Sequence, residues 1–191
     1  MTDIASKARS SRPRRILRSL ARWTVRVLAL IGLISVLRPL VFDLTPMASG
    51  SMSPTLQGDE HGGDWVLAEK ISYWFRDPNR GDIVEFNDHE GVQVMKRITG
   101  LPGESISIQN YRVCIDGTEL PPSPYAAKVK YYPYGNLGGG KPFAVTGGYY
   151  VLGDDSIDSD DSRFEGTVAR ARVRARAFLI LWPPSRIGFV H

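Results

Sequence analysis

The residues best suited to chemistry fall in three short segments. Ser49-Gly50-Ser51-Met52-Ser53-Pro54-Thr55 gathers hydroxyls around one glycine. Met95-Lys96-Arg97-Ile98-Thr99-Gly100-Leu101-Pro102-Gly103-Glu104 sets two cations on a β-like stretch that ends in a Pro-Gly turn. Gly153-Asp154-Asp155, followed by Ser159-Asp160-Asp161-Ser162-Arg163, is acidic. A hydroxyl becomes a nucleophile when a base takes its proton, and an amine becomes a base when it is neutral. Each segment alone also reads as an ordinary polar turn, strand end or surface loop. Their combination is what points to chemistry.

Two other motifs fail on their own requirements. Gly135 to Lys141 fits the G-x-x-x-x-G-K part of a phosphate loop, but Pro142 stands where Ser or Thr should hold magnesium. Asp154, Ser156, Asp158, Asp160 and Glu165 fall at calcium-loop positions, but Ser159 stands where the loop needs glycine. Cys114 is the single cysteine, and His61, His89 and His191 are dispersed, so no disulfide within the chain and no Cys- or His-based metal site is expected. The reading is therefore of a chain with no metal and no cofactor.

The chain has 191 residues, 42% hydrophobic and 23% charged, which suits one globular domain with an appendage. Its net charge of +4 is unevenly spread. Residues 1–26 hold eight basic residues and one acid, Asp3, whereas residues 27–191 hold 16 basic and 19 acidic residues. The cations therefore belong to a tail, which argues against nucleic acid as a partner. The tail runs into Val27-Leu-Ala-Leu-Ile-Gly-Leu-Ile-Ser-Val-Leu37. A membrane span needs about 20 residues, and a helix from about Arg18 to Leu37 supplies them if Arg18, Arg22 and Arg26 lie at the inner interface. A cleaved signal peptide would need small residues near its end, and Arg38-Pro-Leu-Val-Phe-Asp offers none. A buried core helix would not carry eight flanking cations. The expected organisation is a basic cytoplasmic segment over 1–17, a single transmembrane anchor over 18–38 and a body over 39–191 outside the cytoplasm.

The body reads as β. Trp65–Ala68, Asp82–Phe86, Val92–Ile98, Ser105–Ile108, Val113–Ile115 and Tyr149–Leu152 are short, β-branched or aromatic, and bounded by turn residues. Val168 to Ala177 alternates, with Arg170, Arg172, Arg174 and Arg176 on an expected solvated face and Ala171, Val173, Ala175 and Ala177 on the buried one. Residues 118–146, rich in Pro, Gly and Tyr, read as a loop or small variable insertion. The fold class is mostly β, an antiparallel sheet domain with an N-terminal transmembrane helix.

In this order, after an apolar span, the three segments resemble type I signal peptidases over about Leu37 to Pro184, and Gly81-Asp82-Ile83-Val84 resembles a further family strand. The resemblance implies a membrane-anchored serine endopeptidase that removes signal peptides after small residues of the Ala-x-Ala type. It implies Ser51 as nucleophile, Lys96 as general base and Ser49 as an oxyanion-hole donor beside the Ser51 N–H. Ser159 would orient Lys96, and an Asp161–Arg163 ion pair would fix the loop carrying Ser159. Met47, Met52, Leu56 and Met95 would line pockets for small side chains. Ala48 and Asp155 depart from the family pattern, which usually has proline and asparagine there.

The chemistry agrees with these roles. No histidine is placed for a Ser-His-Asp triad, and Ser49 and Ser53 occupy the glycine positions of a Gly-x-Ser-x-Gly elbow. A Ser-Lys pair is the remaining variant. Lysine ordinarily ionises near about 10.4, so Lys96 must be pushed down by apolar surroundings to act as a base. Alternation sends Lys96 and Arg97 to opposite faces of one strand. The expected partners are signal-peptide-bearing preproteins and the lipid bilayer, with no nucleotide and a monomeric chain. A maturation protease dedicated to one substrate, and a catalytically dead peptide binder, are the competing readings.

Overall fold

The computed structural model describes residues 11–59, 62–121 and 129–190. Residues 1–10 of the basic segment, residues 122–128 of the variable segment, and Glu60, His61 and His191 lie outside the described residues. The chain divides into two units, 1–40 and 41–191.

The described residues of the first unit form a helix. α1 spans Ser11–Val41, and its stretch Ile16–Val41 is long and apolar enough to cross a membrane. The side chains of Ile16, Leu28, Leu33 and Val36 are each more than half exposed.

The described residues of the second unit form eleven strands. They are β1 (Phe42–Pro46), β2 (Trp65–Glu69), β3 (Ile83–Asn87), β4 (Gln93–Gly100), β5 (Ser105–Gln109), β6 (Arg112–Ile115), β7 (Thr118–Glu119), β8 (Phe143–Ala144), β9 (Tyr150–Leu152), β10 (Val173–Trp182) and β11 (Gly188–Phe189). Two one-turn helices, α2 (Ser72–Phe75) and α3 (Ser162–Glu165), interrupt them. One sheet runs β1-β2-β10-β3-β4-β9, with β11 added to β10, and a second runs β7-β6-β5-β8. Every strand pair is antiparallel. The fold is mostly β with an N-terminal apolar helix, as the residue pattern implies.

Alternation explains the core. Ile106, Ile108, Val113 and Ile115 bury one face of the small sheet against Leu137, Tyr150 and Leu152. Ile83, Met95, Ala175 and Ala177 pack with Met47, Met52 and Leu56 on one side of the large sheet. Asp116 and Gly117, both at positive φ, make the tight turn between β6 and β7.

The arginine-rich strand differs from expectation. Arg170–Arg172 forms a 3₁₀ turn, and the strand begins at Val173, leaving Ala171 exposed. The arginines are also tethered to protein partners. Arg170 donates to the Asp77 carboxylate and the Tyr73 carbonyl, Arg172 to the Asn87 carbonyl, and Arg176 to Glu69. Those side chains reach back to neighbouring elements, which holds the first three residues out of the sheet.

Candidate active site

The three segments meet in one groove of about 790 Å³. One wall is the end of β1 and the turn after it, from Thr45 to Ser51. The other is β4 from Gln93 to Lys96, and the loop from Asp158 to Glu165 closes the side.

Ser51 lies on the turn that follows β1 and is only 7% exposed. Ser53 N–H to the Gly50 carbonyl (2.7 Å) and Leu56 N–H to the Met52 carbonyl (2.9 Å) tighten that turn. The Ser49 and Ser51 hydroxyl oxygens are 3.3 Å apart. The Ser51 N–H has no hydrogen-bond partner among the described residues, which leaves it as an available donor.

Lys96 is near the middle of β4, opposite Val84 of β3, and is 5% exposed. Its Nζ donates to the Ser159 hydroxyl at 3.0 Å, and that hydroxyl donates on to Asp161 Oδ2 at 2.8 Å. Burial pushes the Lys96 amine below its ordinary value, against the opposing pull of Asp161 and Asp160. Lys96 and Ser51 share the groove without hydrogen-bonding to each other. Such bonds are often loose in an empty site and tighten when substrate closes it.

The loop carrying Ser159 has little regular structure, and a buried ion pair holds it. Arg163 and Asp161 meet at 2.8 Å with both side chains fully buried. Asp161 also caps α3 by accepting the Arg163 N–H, and it accepts the Gly153 N–H at 3.0 Å. Arg163 spans the loop to the Ser156 carbonyl and hydroxyl. The glycine-rich segment that resembled a phosphate loop buttresses this assembly. Asn136 donates to the Ser162 carbonyl at 2.8 Å, and a side chain on Gly135, at φ 57°, would collide with the Arg163 carbonyl.

A second buried cluster ties all three segments together, and the residue pattern does not announce it. Arg97, 1% exposed, makes a two-pronged ion pair with Asp154 at 2.9 and 2.6 Å. Thr55 donates its hydroxyl to the same carboxylate, and Tyr131 reaches it at 3.3 Å. The first segment thus supplies Thr55, the second Arg97 and the third Asp154. The available signal was alternation: Arg97 must face away from Lys96 into a sheet flanked on both sides, where a charge requires a partner.

The pocket candidates divide. Met47 and Met95 line the groove, whereas Met52 and Leu56, both fully buried, pack behind them in the core. Gly153 was not foreseen as a site residue. A β-carbon there would collide with Ser159 and come within 2.6 Å of the Ser51 carbonyl oxygen, so only glycine lets the segments approach so closely.

A buried serine and a desolvated lysine line one groove, and a neutral amine can take a hydroxyl's proton. The model of the family described as "Signal peptidase, peptidase S26" matches residues 20–182, and the chain belongs to that family. A Synechocystis sp. protein named "Probable signal peptidase I-2" is 35% identical over 97% of this chain and 82% of its own length. "Signal peptidase I" of Leptolyngbya laminosa is 36% identical over 80% of this chain and 74% of its own. A crystal structure of a signal peptidase I from Enterococcus faecalis is 32% identical, covering 53% of this chain and 97% of its own, with a TM-score of 0.43.

Proposed function

We propose that this chain is a membrane-anchored serine endopeptidase that cleaves N-terminal signal peptides from exported preproteins, after small residues of the Ala-x-Ala type. The observation that carries the mechanism is Lys96. It is a buried amine pushed toward its neutral form, held by Ser159 in the groove that Ser51 lines.

Neutral Lys96 takes the Ser51 proton as Ser51 Oγ attacks the scissile carbonyl carbon. The free Ser51 N–H and the Ser49 hydroxyl receive the developing oxyanion. The Lys96 ammonium then protonates the leaving amine, and the acyl group stays on Ser51. Lys96, neutral again, deprotonates a water that attacks the ester, and the same proton returns to Ser51. Ser159 accepts one N–H of the amine and thereby fixes where its lone pair points. Met47 and Met95 shape a lining suited to small side chains, and Met52 and Leu56 support it from behind.

Anchoring rests on α1 and on the basic flank. A 26-residue apolar stretch with exposed side chains suits hydrocarbon, and the cations before it favour a cytoplasmic N-terminus. The proposed organisation is a basic cytoplasmic segment over 1–17, an anchor over 18–38 and a catalytic body over 39–191 on the outer face. A substrate whose own apolar segment lies in the bilayer presents its cleavage junction on that same side.

The test is cleavage of a panel of Ala-x-Ala preproteins by full-length protein in detergent micelles. Wild type is expected to cut the panel, and Ser51→Ala to cut none while keeping the wild-type melting curve. Normal cleavage by Ser51→Ala overturns the assignment of the nucleophile.

A further inference from the structure

We propose that the groove selects polypeptides with basic residues close to the cleaved bond. This inference rests on the peptidase reading above and names its substrate class. The groove is a ligand site on grounds independent of charge, because buried Ser51 and buried Lys96 both line it, the amine held by Ser159.

The lining is lopsided in charge. Arg163 neutralises Asp161. Five further carboxylates remain: Asp88, Glu90, Asp158, Asp160 and Glu165. Opposing them are Lys96, which works neutral, and His89, whose Nε2 is 3.5 Å from Glu165. The acids crowd one another. Burial, with Asp160 and Asp88 nearby, pushes the Glu165 carboxyl up against the opposing effects of His89 and Arg172. An arriving cation relieves that crowding, and a cleft with one sign of charge concentrates ligands of the other.

The acids occupy defined stations along the groove. Asp158 Oδ2 is 3.6 Å from where a side chain on Gly50 would begin, so it stands beside the residue that precedes Ser51. Asp160 follows Ser159 directly. Asp88 and Glu90 lie in the turn from β3 to β4. Gln93 begins β4 three residues before Lys96, or about 10 Å at about 3.3 Å per residue. An extended peptide lying along β4 with its scissile bond at Ser51 therefore offers its nearest residues to Asp158 and Asp160. Residues three to five positions away on one side meet Asp88 and Glu90. Asp158, Asp160 and Glu90 are exposed, so their attraction is screened by salt.

The experiment uses full-length protein and three preproteins that share one Ala-x-Ala junction. Two positions flanking the junction are both Lys, both Gln or both Glu. At low ionic strength kcat/KM is expected to fall about tenfold from the Lys to the Glu substrate, narrowing to about twofold in 0.5 M salt. In a variant combining Glu90→Gln, Asp158→Asn and Asp160→Asn, the ratio of the Lys to the Glu rate is expected to fall to about one, whatever change in absolute rate the loss of Asp160 brings at Lys96. Equal rates for all three substrates, or a preference that survives in the variant, overturn the proposal and leave the peptidase reading standing. Failure to cut any of the three removes that reading and this inference with it. The wild-type charge series decides the matter even if the variant misfolds.

Discussion

Replacing Gly153 by alanine tests whether the close approach of the three segments controls catalysis. The new β-carbon would overlap Ser159 Oγ, and it would stand 2.5 Å from Ser159 Cβ and 2.6 Å from the Ser51 carbonyl oxygen. Carbon contacts are comfortable at about 3.5–4.0 Å, so about 1 Å of displacement must be found. Neither neighbour yields freely. The Ser51 carbonyl accepts the Asp155 N–H at 3.0 Å, and the Ser159 hydroxyl is held between Lys96 and Asp161. The displacement therefore falls on the distance between Ser51 and Lys96, the proposed nucleophile and base. A misplacement of about 1 Å costs on the order of 10²-fold in rate. Overpacking costs about 1–3 kcal/mol, less than the roughly 5–15 kcal/mol that holds a typical domain together, so the variant is expected to fold. The assay is the initial rate of preprotein cleavage by full-length protein, with a thermal melt beside it. Gly138→Ala is the control, because its nearest neighbour is 3.8 Å away and its backbone is ordinary; it is expected to change neither measurement. A Gly153→Ala enzyme that cuts within about threefold of wild type would refute the reasoning.

Three further outcomes follow from the buried charges. Activity is expected to rise with pH through the depressed Lys96 value and then level off, since only the neutral amine accepts the proton; a maximum at acidic pH in a rate-against-pH profile contradicts this. The same depression has a sign for stability: between the folded value and the ordinary 10.5 the unfolded chain binds more protons, so the native state gains stability as pH rises there. Lys96→Met is expected to be inactive yet to melt higher than wild type at pH 7, by a margin that shrinks toward pH 10; a margin constant with pH argues against desolvation as the cause. Asp154→Ala leaves Arg97 buried with its two-pronged partner gone, and is expected to cost about 3–5 kcal/mol in denaturant unfolding; a loss under about 1 kcal/mol would mean that the pair does not hold the segments together.

Much of this arrangement was legible in the residues because period-2 alternation is local. Ile106, Ile108, Val113 and Ile115 reveal both their strands and their buried faces without reference to anything distant. The β4 reading carries further, since it separates Lys96 from Arg97 before any partner is known. Alternation misled at Ala171, where the tethers of Arg170 and Arg172 to Asp77, Tyr73 and Asn87 break the strand. Those partners lie more than 80 residues away, beyond any local pattern. Gly153 was hidden for the same reason. Its need for glycine arises from Ser51 and Ser159, which only the folded chain brings against it. Asp154 was visible as part of an acidic segment, but only its contact with Thr55 and Arg97 separates a buried counter-ion from a calcium-loop ligand.

The two buried ion pairs solve different parts of one electrostatic problem. In the proposed mechanism Lys96 loses a proton inside a wall of carboxylates, and each bare carboxylate nearby would favour the ammonium. Asp161 is the first such influence on the amine, but it does not act alone, because Arg163 faces the same carboxylate at 2.8 Å and pulls Lys96 the other way. The amine therefore meets a neutralised pair in place of a full negative charge, and desolvation prevails. Asp154 is kept from adding a second unbalanced charge by Arg97, on the opposite side of the same strand. That division explains why adjacent residues of β4 carry opposite assignments. Lys96 is left without a carboxylate of its own and meets the Ser159 hydroxyl, so that it can be neutral. Arg97 is given a carboxylate so that it can stay charged and bind the three segments into one site.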